Sequence, residues 1–263
     1  YRAYVADRLG RRGDALAAFE AASRMSTLYV FPNRPETLAV LRAAIEANAG
    51  DATAHALHGS LLMSGGDAGE AIHAWERALA LNPGIPSLHR NLALAVLATG
   101  GATDRAIDLL VAGTANDPSN VGVYLDLDRV MASAGRSAAE RVQAIQRFPD
   151  QAALPAPLVF RLATAMADAG RFDDAERQLV NRFFAREEGG TNVREIWLDV
   201  RVKRAAAAAR AGRCAEARAT VASLQSPVRG FAFTSDGLDA FLATARFRQA
   251  TAEVLAACPA ERP

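Results

Sequence analysis

Apolar residues recur along this chain at helical spacing, and the whole pattern repeats after about 35 residues. Between Ala52 and Pro83, two apolar stripes flank the pair Gly65–Gly66, and the second stripe ends just before Pro83. The next copy ends at Pro118, 35 residues further along the chain. Two amphipathic stripes, joined by a glycine turn and ended by proline, predict a helix–turn–helix unit.

Corresponding positions of the copies carry side chains of the same size. Gly59 and Ala93 stand where the two helices of a unit should cross. Alanine recurs early in each second helix, and a large apolar residue follows four positions later. The alanines are Ala71, Ala106, Ala175 and Ala217, and the large residues are Trp75, Leu110, Leu179 and Val221. Small residues at a crossing permit close helix approach, and large ones fill the space between helices.

These residues resemble the tetratricopeptide repeat (TPR) family, whose unit is a helix–turn–helix of about 34 residues. The resemblance is clearest from Ala52 to Pro118 and continues from Pro157 to Leu224. It implies an all-α fold, a right-handed superhelical solenoid of about seven repeats, several of them incomplete. Before the helix marked by Thr37, an extended stretch at 28–32 stands where a first helix is expected.

Two interruptions divide the array. The prolines Pro149, Pro155 and Pro157 predict a seam between a sub-array at 1–149 and a second at 150–263. Within the second, residues 182–194 form a long, charged, glycine-containing connection between two repeats. Long connections of this kind are often functional.

A narrower resemblance rests on the order of four features. The segment 29–32, the repeats, the aspartates Asp126 and Asp128, and the run 188–190 look like one bacterial group. In that group a mutarotase-like N-terminal domain of unknown function precedes a C-terminal repeat array. The likeness implies that this chain is such an array, preceded by that domain. The group's His-Pro-Trp run is replaced here by residues 184–186.

Composition narrows the class of partner. Hydrophobic residues make up 51% of the 263 residues and charged residues 22%, which is typical of a globular chain. Lys and Arg number 30 against 29 Asp and Glu, and this balance disfavours nucleic-acid binding, which depends on phosphate neutralisation. No apolar run approaches the ~20 residues of a membrane span, and no signal peptide is visible. We therefore expect no membrane span, and a cytoplasmic location.

The two cysteines are expected to be free thiols. Cys214 opens one predicted second helix, and Cys258 lies near the end of the next. Successive second helices of an array run roughly parallel, so the helix rise would separate the thiols by ~15–20 Å. A disulfide needs Cα atoms within ~7 Å.

No catalytic, metal or cofactor site is predicted. His55, His58 and His89 fall on neighbouring first helices, but their places in the repeat are normally packed ones. The carboxylate pairs Asp126/Asp128, Asp173/Asp174 and Glu187/Glu188 are explained by helix starts and solvated charge rather than by acid–base chemistry.

The first helices of a TPR array line a concave groove, and this is the predicted binding site. By the resemblance, its lining includes Ser60, Met63, Arg90, Leu94, Leu97, Leu125, Arg129, Phe160 and Thr164. Apolar positions with two arginines suit an apolar or amphipathic peptide with a nearby carboxylate.

Two functions stay open. The first is a non-catalytic scaffold that binds a protein or peptide in the groove. The second is an accessory or oligomerisation domain at the C-terminus of a carbohydrate-active bacterial enzyme, in which case the groove residues pack against an N-terminal domain of the same polypeptide.

Overall fold

The computed structural model describes residues 1–26, 30–184, 192–224, 226 and 238–259. Over these residues the regular structure is entirely helical. The helices are α1 (Arg2–Arg8), α2 (Arg12–Ser23), α3 (Thr37–Ala47), α4 (Ala52–Ser64), α5 (Ala68–Leu81), α6 (Leu88–Ala98), α7 (Thr103–Asn116), α8 (Val121–Ser133), α9 (Ala138–Gln146), α10 (Ala156–Asp168), α11 (Phe172–Leu179), α12 (Val193–Arg210), α13 (Cys214–Ala222), α14 (Leu238–Leu242) and α15 (Ala245–Ala257).

Contacts divide the chain into two compact units, Tyr1–Val130 and Met131–Pro263, whose border lies within α8. The border therefore falls inside a helix and not in a linker. The seam expected at 149/150 from the prolines stays a prediction.

The first unit consists of helical hairpins stacked in chain order. Helix α1 packs on α2, α4 on α5, and α6 on α7, while α3 packs on α4 and α5 packs on α6. The chain is without regular structure over 30–34 and then enters α3. This matches the second helix predicted around Thr37, and the helical repeat predicted from the sequence is confirmed.

The repeat's small positions are the places where the helices touch. Ala71, Ala106, Ala175 and Ala217 are all completely buried. At the α4–α5 crossing, Trp75 lies against Gly59, and its indole Nε1 donates a hydrogen bond of 3.0 Å to the Ala56 carbonyl. The alternation of small and large residues thus fixes how closely each hairpin closes.

The second unit is also built of helices that pack on one another. Helix α10 packs on α9, α11 and α12, and α12 pairs with α13. Helix α15 then packs on both α12 and α13. Its Phe247 shares an apolar cluster with Leu224, which follows the end of α13.

The expectation of two free thiols is wrong. Cys214 and Cys258 form a disulfide, with their Cα atoms 5.0 Å apart. The start of α13 therefore meets the end of α15, and the start of α15 meets the end of α13 through Phe247 and Leu224. The two helices run antiparallel because α15 takes the place of a following first helix. The sequence-based prediction placed Cys258 on a second helix, parallel to α13, and so put the thiols a helix length apart.

Candidate functional site

A cavity of about 720 Å³ opens on the first unit between its first helices. Helix α4 contributes Ser60 and Met63 to the wall, and α6 contributes Asn91 and Leu94. Trp75 reaches the cavity from α5. Three of the residues predicted to form the groove, Ser60, Met63 and Leu94, therefore do line one cavity.

Two loop segments complete the walls. One is the stretch Val30–Phe31–Pro32, and the other is the turn Ile85–Pro86–Ser87 that leads into α6. Phe31 is 81% exposed, whereas Ile85 is buried. The first segment belongs to the stretch at 28–32 where the repeat pattern lacks a helix, and residues 30–34 have no regular structure. This departure from the repeat therefore contributes directly to the cavity.

The lining of this cavity contains no charged side chain among the described residues. Several of its polar groups are already engaged by the helices that carry them. The Ser60 hydroxyl donates to the Ala56 carbonyl at 3.0 Å, and the Ser64 hydroxyl donates to the Ser60 carbonyl at 3.1 Å. The Trp75 indole also donates to Ala56. The walls therefore present mainly apolar surface, and Asn91 supplies the one amide side chain of the described lining.

The two predicted groove arginines meet at a single carboxylate instead of lining the cavity. Arg90 Nε donates to Asp126 Oδ2 at 2.6 Å, and Arg129 Nη2 donates to Asp126 Oδ1 at 2.7 Å. The Asp126 side chain is only 12% exposed, so it is not the solvated charge that sequence reasoning expected. Asp128 is completely buried as well. Both aspartates are less exposed than predicted for the same reason: they lie in the middle of α8, where packing against neighbouring helices decides exposure.

Sequence spacing carried a signal for this pairing. Asp126 and Arg129 are three residues apart on one helix, a spacing that places side chains on one face. Arg90 precedes Asp126 by 36 residues, close to one repeat, so the two occupy similar places on successive first helices. The sequence-based prediction assigned Arg90 and Arg129 to the groove and did not pair them with Asp126.

The other predicted groove residues do not line this cavity. Leu97 on α6 and Leu125 on α8 are half-buried. Phe160 and Thr164 belong to α10 of the second unit, where the Thr164 hydroxyl donates to the Phe160 carbonyl at 2.9 Å. The Phe160 ring lies 5.1 Å from that of Phe184. A groove shared by all the predicted residues stays a prediction.

The histidines are placed as packed residues rather than converging ligands. Burial lowers the pKa of His89, and the Asn116 amide nitrogen lies 3.5 Å from its Nδ1. Burial is also the main cause that lowers the pKa of His58, with the positive charges of Arg42 and His55 adding to it. Within the described part of the chain, no group of three or more His, Cys, Asp or Glu is arranged to hold a metal ion.

Of the two remaining acidic pairs, the structure describes one, and its position at a helix start explains it. Asp173 and Asp174 lie in the first turn of α11, as predicted, where acids complement the helix dipole. A hydrogen bond from Arg171 is the main cause that lowers the pKa of Asp174. Glu187 and Glu188 lie outside the described residues, as does most of the connection at 182–194.

Among the helices described, none combines the length and apolar character that crossing a membrane requires. The expected cytoplasmic location stays a prediction.

Solved structures with the same kind of helical repeat resemble this chain. One is the crystal structure of YrrB, a TPR protein with an unusual peptide-binding site, with a TM-score of 0.50 and 16% identity over 70% of this chain and 90% of that one. Another is Naa15/Naa10 bound to HypK-THB, with a TM-score of 0.51 and 16% identity over 84% of this chain. The match spans only 31% of that second chain.

No protein-family model matches the sequence, and no curated protein matches it significantly. At 16% identity the two structural likenesses concern the fold alone. Together with the stacked hairpins and their buried alanines, they give this chain a tetratricopeptide-type helical-repeat fold.

Proposed function

We propose that this chain is a non-catalytic scaffold that binds a protein or peptide segment in the groove formed by its first helices. The observation that carries the proposal is the cavity of about 720 Å³ between α4 and α6. Its size is within the range of ligand-binding pockets, and its lining is apolar with a few polar groups. YrrB, which has a peptide-binding site of its own, supports the same use of the fold here.

The chemistry of the cavity favours an uncharged, extended and apolar segment. A charged side chain placed there would lose water without meeting an opposite charge, which is costly. We propose an extended segment because the chain's own stretch Val30–Phe31–Pro32, which forms part of one wall, has no regular structure. A ligand would bury its apolar side chains against Met63 and Leu94 and meet the amide of Asn91.

A carboxylate on the ligand would have to compete with Asp126 for Arg90 and Arg129. Because Asp126 already accepts from both arginines, we propose that any such contact is secondary to apolar burial.

The test is binding to an array of immobilised ten-residue peptides in which apolar content and net charge vary independently. We expect wild-type protein to retain neutral, apolar peptides, and Met63→Glu and Leu94→Glu to retain at least about tenfold less, because each places a charge in the groove. Leu255→Glu is the matched control, since Leu255 is an exposed leucine on α15.

Equal retention by the wild type and by both groove variants, with unchanged circular dichroism, would contradict the proposal. If a glutamate variant does not fold, Leu94→Ala makes the same comparison by removing apolar contact alone. A preference for acidic peptides that disappears in Arg90→Ala would instead make the arginines the primary site.

The second candidate is an accessory or oligomerisation domain of a larger, carbohydrate-active protein. One observation favours oligomerisation: Val5 on α1 and the flanking residues Tyr1 and Leu9 are exposed apolar residues at four-residue spacing. We propose that a second copy of this chain covers them. Light scattering of wild type and Val5→Glu/Leu9→Glu tests this dimer. A wild-type dimer that dissociates in the variant supports the proposed contact, and a monomeric wild type rules the dimer out.

A further inference from the structure

We infer that the Cys214–Cys258 disulfide is a redox-dependent clamp that holds α15 closed over the apolar faces of α12 and α13. The bond joins residues 44 positions apart, and it links the first residue of α13 to the residue that follows α15. The chain has no other cysteine.

The surface under the clamp is apolar. Phe247 and Val254, one helical face of α15, are buried. Phe247 packs in a cluster with Leu198 and Val202 of α12, and Val254 packs in a cluster with the α12 alanines Ala205 and Ala208. The opposite face of α15 is exposed. Opening α15 would therefore expose a continuous apolar strip along α12.

Among the described residues, the polar contacts at the two ends of α15 involve arginine side chains that solvent reaches. At its start, Arg246 pairs with Glu195 at 3.1 Å and with Asp199, but the Arg246 side chain is 59% exposed. At its end, Arg218 Nη1 donates to the Pro259 carbonyl at 2.9 Å. Exposed ion pairs contribute little to stability. The disulfide is therefore the strongest single constraint on the end of α15 that lies beside Cys214.

The two cysteines differ in exposure, and this sets the proposed route of reduction. Cys258 is completely buried, whereas Cys214 is partly exposed. A dithiol reductant, as its thiolate, attacks the Cys214 sulfur, the S–S bond breaks, and Cys258 leaves as a thiolate that takes up a proton. The second thiol of the reductant then displaces Cys214, so that the dithiol is oxidised by two electrons and the protein gains two thiols.

Because the clamp is a disulfide, how firmly α15 is held depends on whether the compartment is oxidising or reducing. Disulfides persist in oxidising compartments and are rare in the cytosol, where thiols are kept reduced. A persistent Cys214–Cys258 bond weighs against the expected cytoplasmic location. In a reducing compartment the same chain would carry two thiols and a loosened α15.

The test uses the full chain, with and without dithiothreitol. Thiol titration under denaturing, non-reducing conditions should give no thiols in protein made under oxidising conditions, and two after reduction. Hydrogen exchange of the α15 amides should accelerate on reduction by roughly 30- to 700-fold, the equivalent of a typical disulfide's contribution. The amides of α4 and α10 should not change.

Cys214→Ser/Cys258→Ser is the control variant. Its α15 should exchange as quickly as in the reduced wild type and should not respond to dithiothreitol. If this variant does not fold, chemical reduction of the wild type provides the same comparison. Two titratable thiols in the unreduced protein would overturn the inference. So would unchanged α15 exchange on reduction, or an equal acceleration in α10, which would make the bond a general stabiliser of the unit.

Discussion

Gly59 and Trp75 are packed so closely that a Cβ atom placed on Gly59 would lie 2.5 Å from Cδ1 of the indole. The same Cβ would lie 2.9 Å from the carbonyl oxygen of Ala71, which is backbone and has little freedom to move. Helices α4 and α5 therefore cross at a point where no side chain fits. This contact is the clearest expression of the repeat's alternation of small and large residues.

Replacing Gly59 by leucine should separate α4 from α5. We expect Gly59→Leu to lower the free energy of unfolding by about 1–3 kcal/mol through overpacking, with a lower melting temperature by circular dichroism. Gly69→Leu on α5 is the matched control, because a Cβ there meets nothing within 4 Å. Equal melting of the two variants would mean that the α4–α5 crossing tolerates a large side chain.

The two ion pairs that share Asp126, one with Arg90 and one with Arg129, should contribute unequally to the free energy of unfolding. Asp126→Ala should destabilise by about 1–3 kcal/mol, because it leaves the partly buried Arg90 without its acceptor. The Arg129 side chain is 57% exposed, so its coupling to Asp126 should be only about 0.2–1 kcal/mol.

Double-mutant cycles with alanine, measured by urea unfolding, test this order. The Arg90–Asp126 coupling should be the larger of the two and should survive high salt better, because the Arg90 side chain is 36% exposed. A larger coupling for Arg129 would show that the exposed arginine, and not Arg90, is the main partner of Asp126.

Acidification should destabilise the first unit through His58 and His89. Burial lowers the pKa of both in the folded state, so the unfolded chain binds protons first as the pH falls. Their contribution is therefore fully present above the unfolded pKa of about 6.5, and it is lost as the pH falls toward the lower folded values.

Urea midpoints measured between about pH 7.5 and pH 5 should decrease, and the decrease should be smaller in His89→Gln and smaller again in His58→Gln/His89→Gln. Above about pH 7.5 both histidines are neutral in both states, so each variant's own packing cost is measured there. An unchanged pH response in the double variant would assign acid sensitivity to other groups.

Much of this fold could be predicted from the sequence because its determinants are local. Helical periodicity, the glycines of the turns and the prolines after α5 and α7 act within a few residues, and the repeat brings the same small and large residues together in each hairpin. The completely buried Ala71 and Ala106, and the packed Gly59, stand where the pattern predicted close contacts.

Three of the residues predicted to form the groove line the cavity of the first unit, and the groove itself stays a prediction. Which first-helix positions face open space depends on the neighbouring helix and on segments such as Val30–Pro32. The pattern indicated that this segment is extended, but it could not indicate that it forms a wall. Trp75, predicted only as a packing residue, also lines the cavity while it fills the α4–α5 crossing.

The sequence by itself determined the helical hairpins, their turns and their tight crossings, because these depend on side-chain size and periodicity within one repeat. The tertiary structure decided which charges meet and which cysteines bond. Asp126 joins Arg90 and Arg129 because successive first helices pack side by side. Cys214 meets Cys258 because α15 packs antiparallel to α13, and the burial of its apolar face against α12 favours that arrangement.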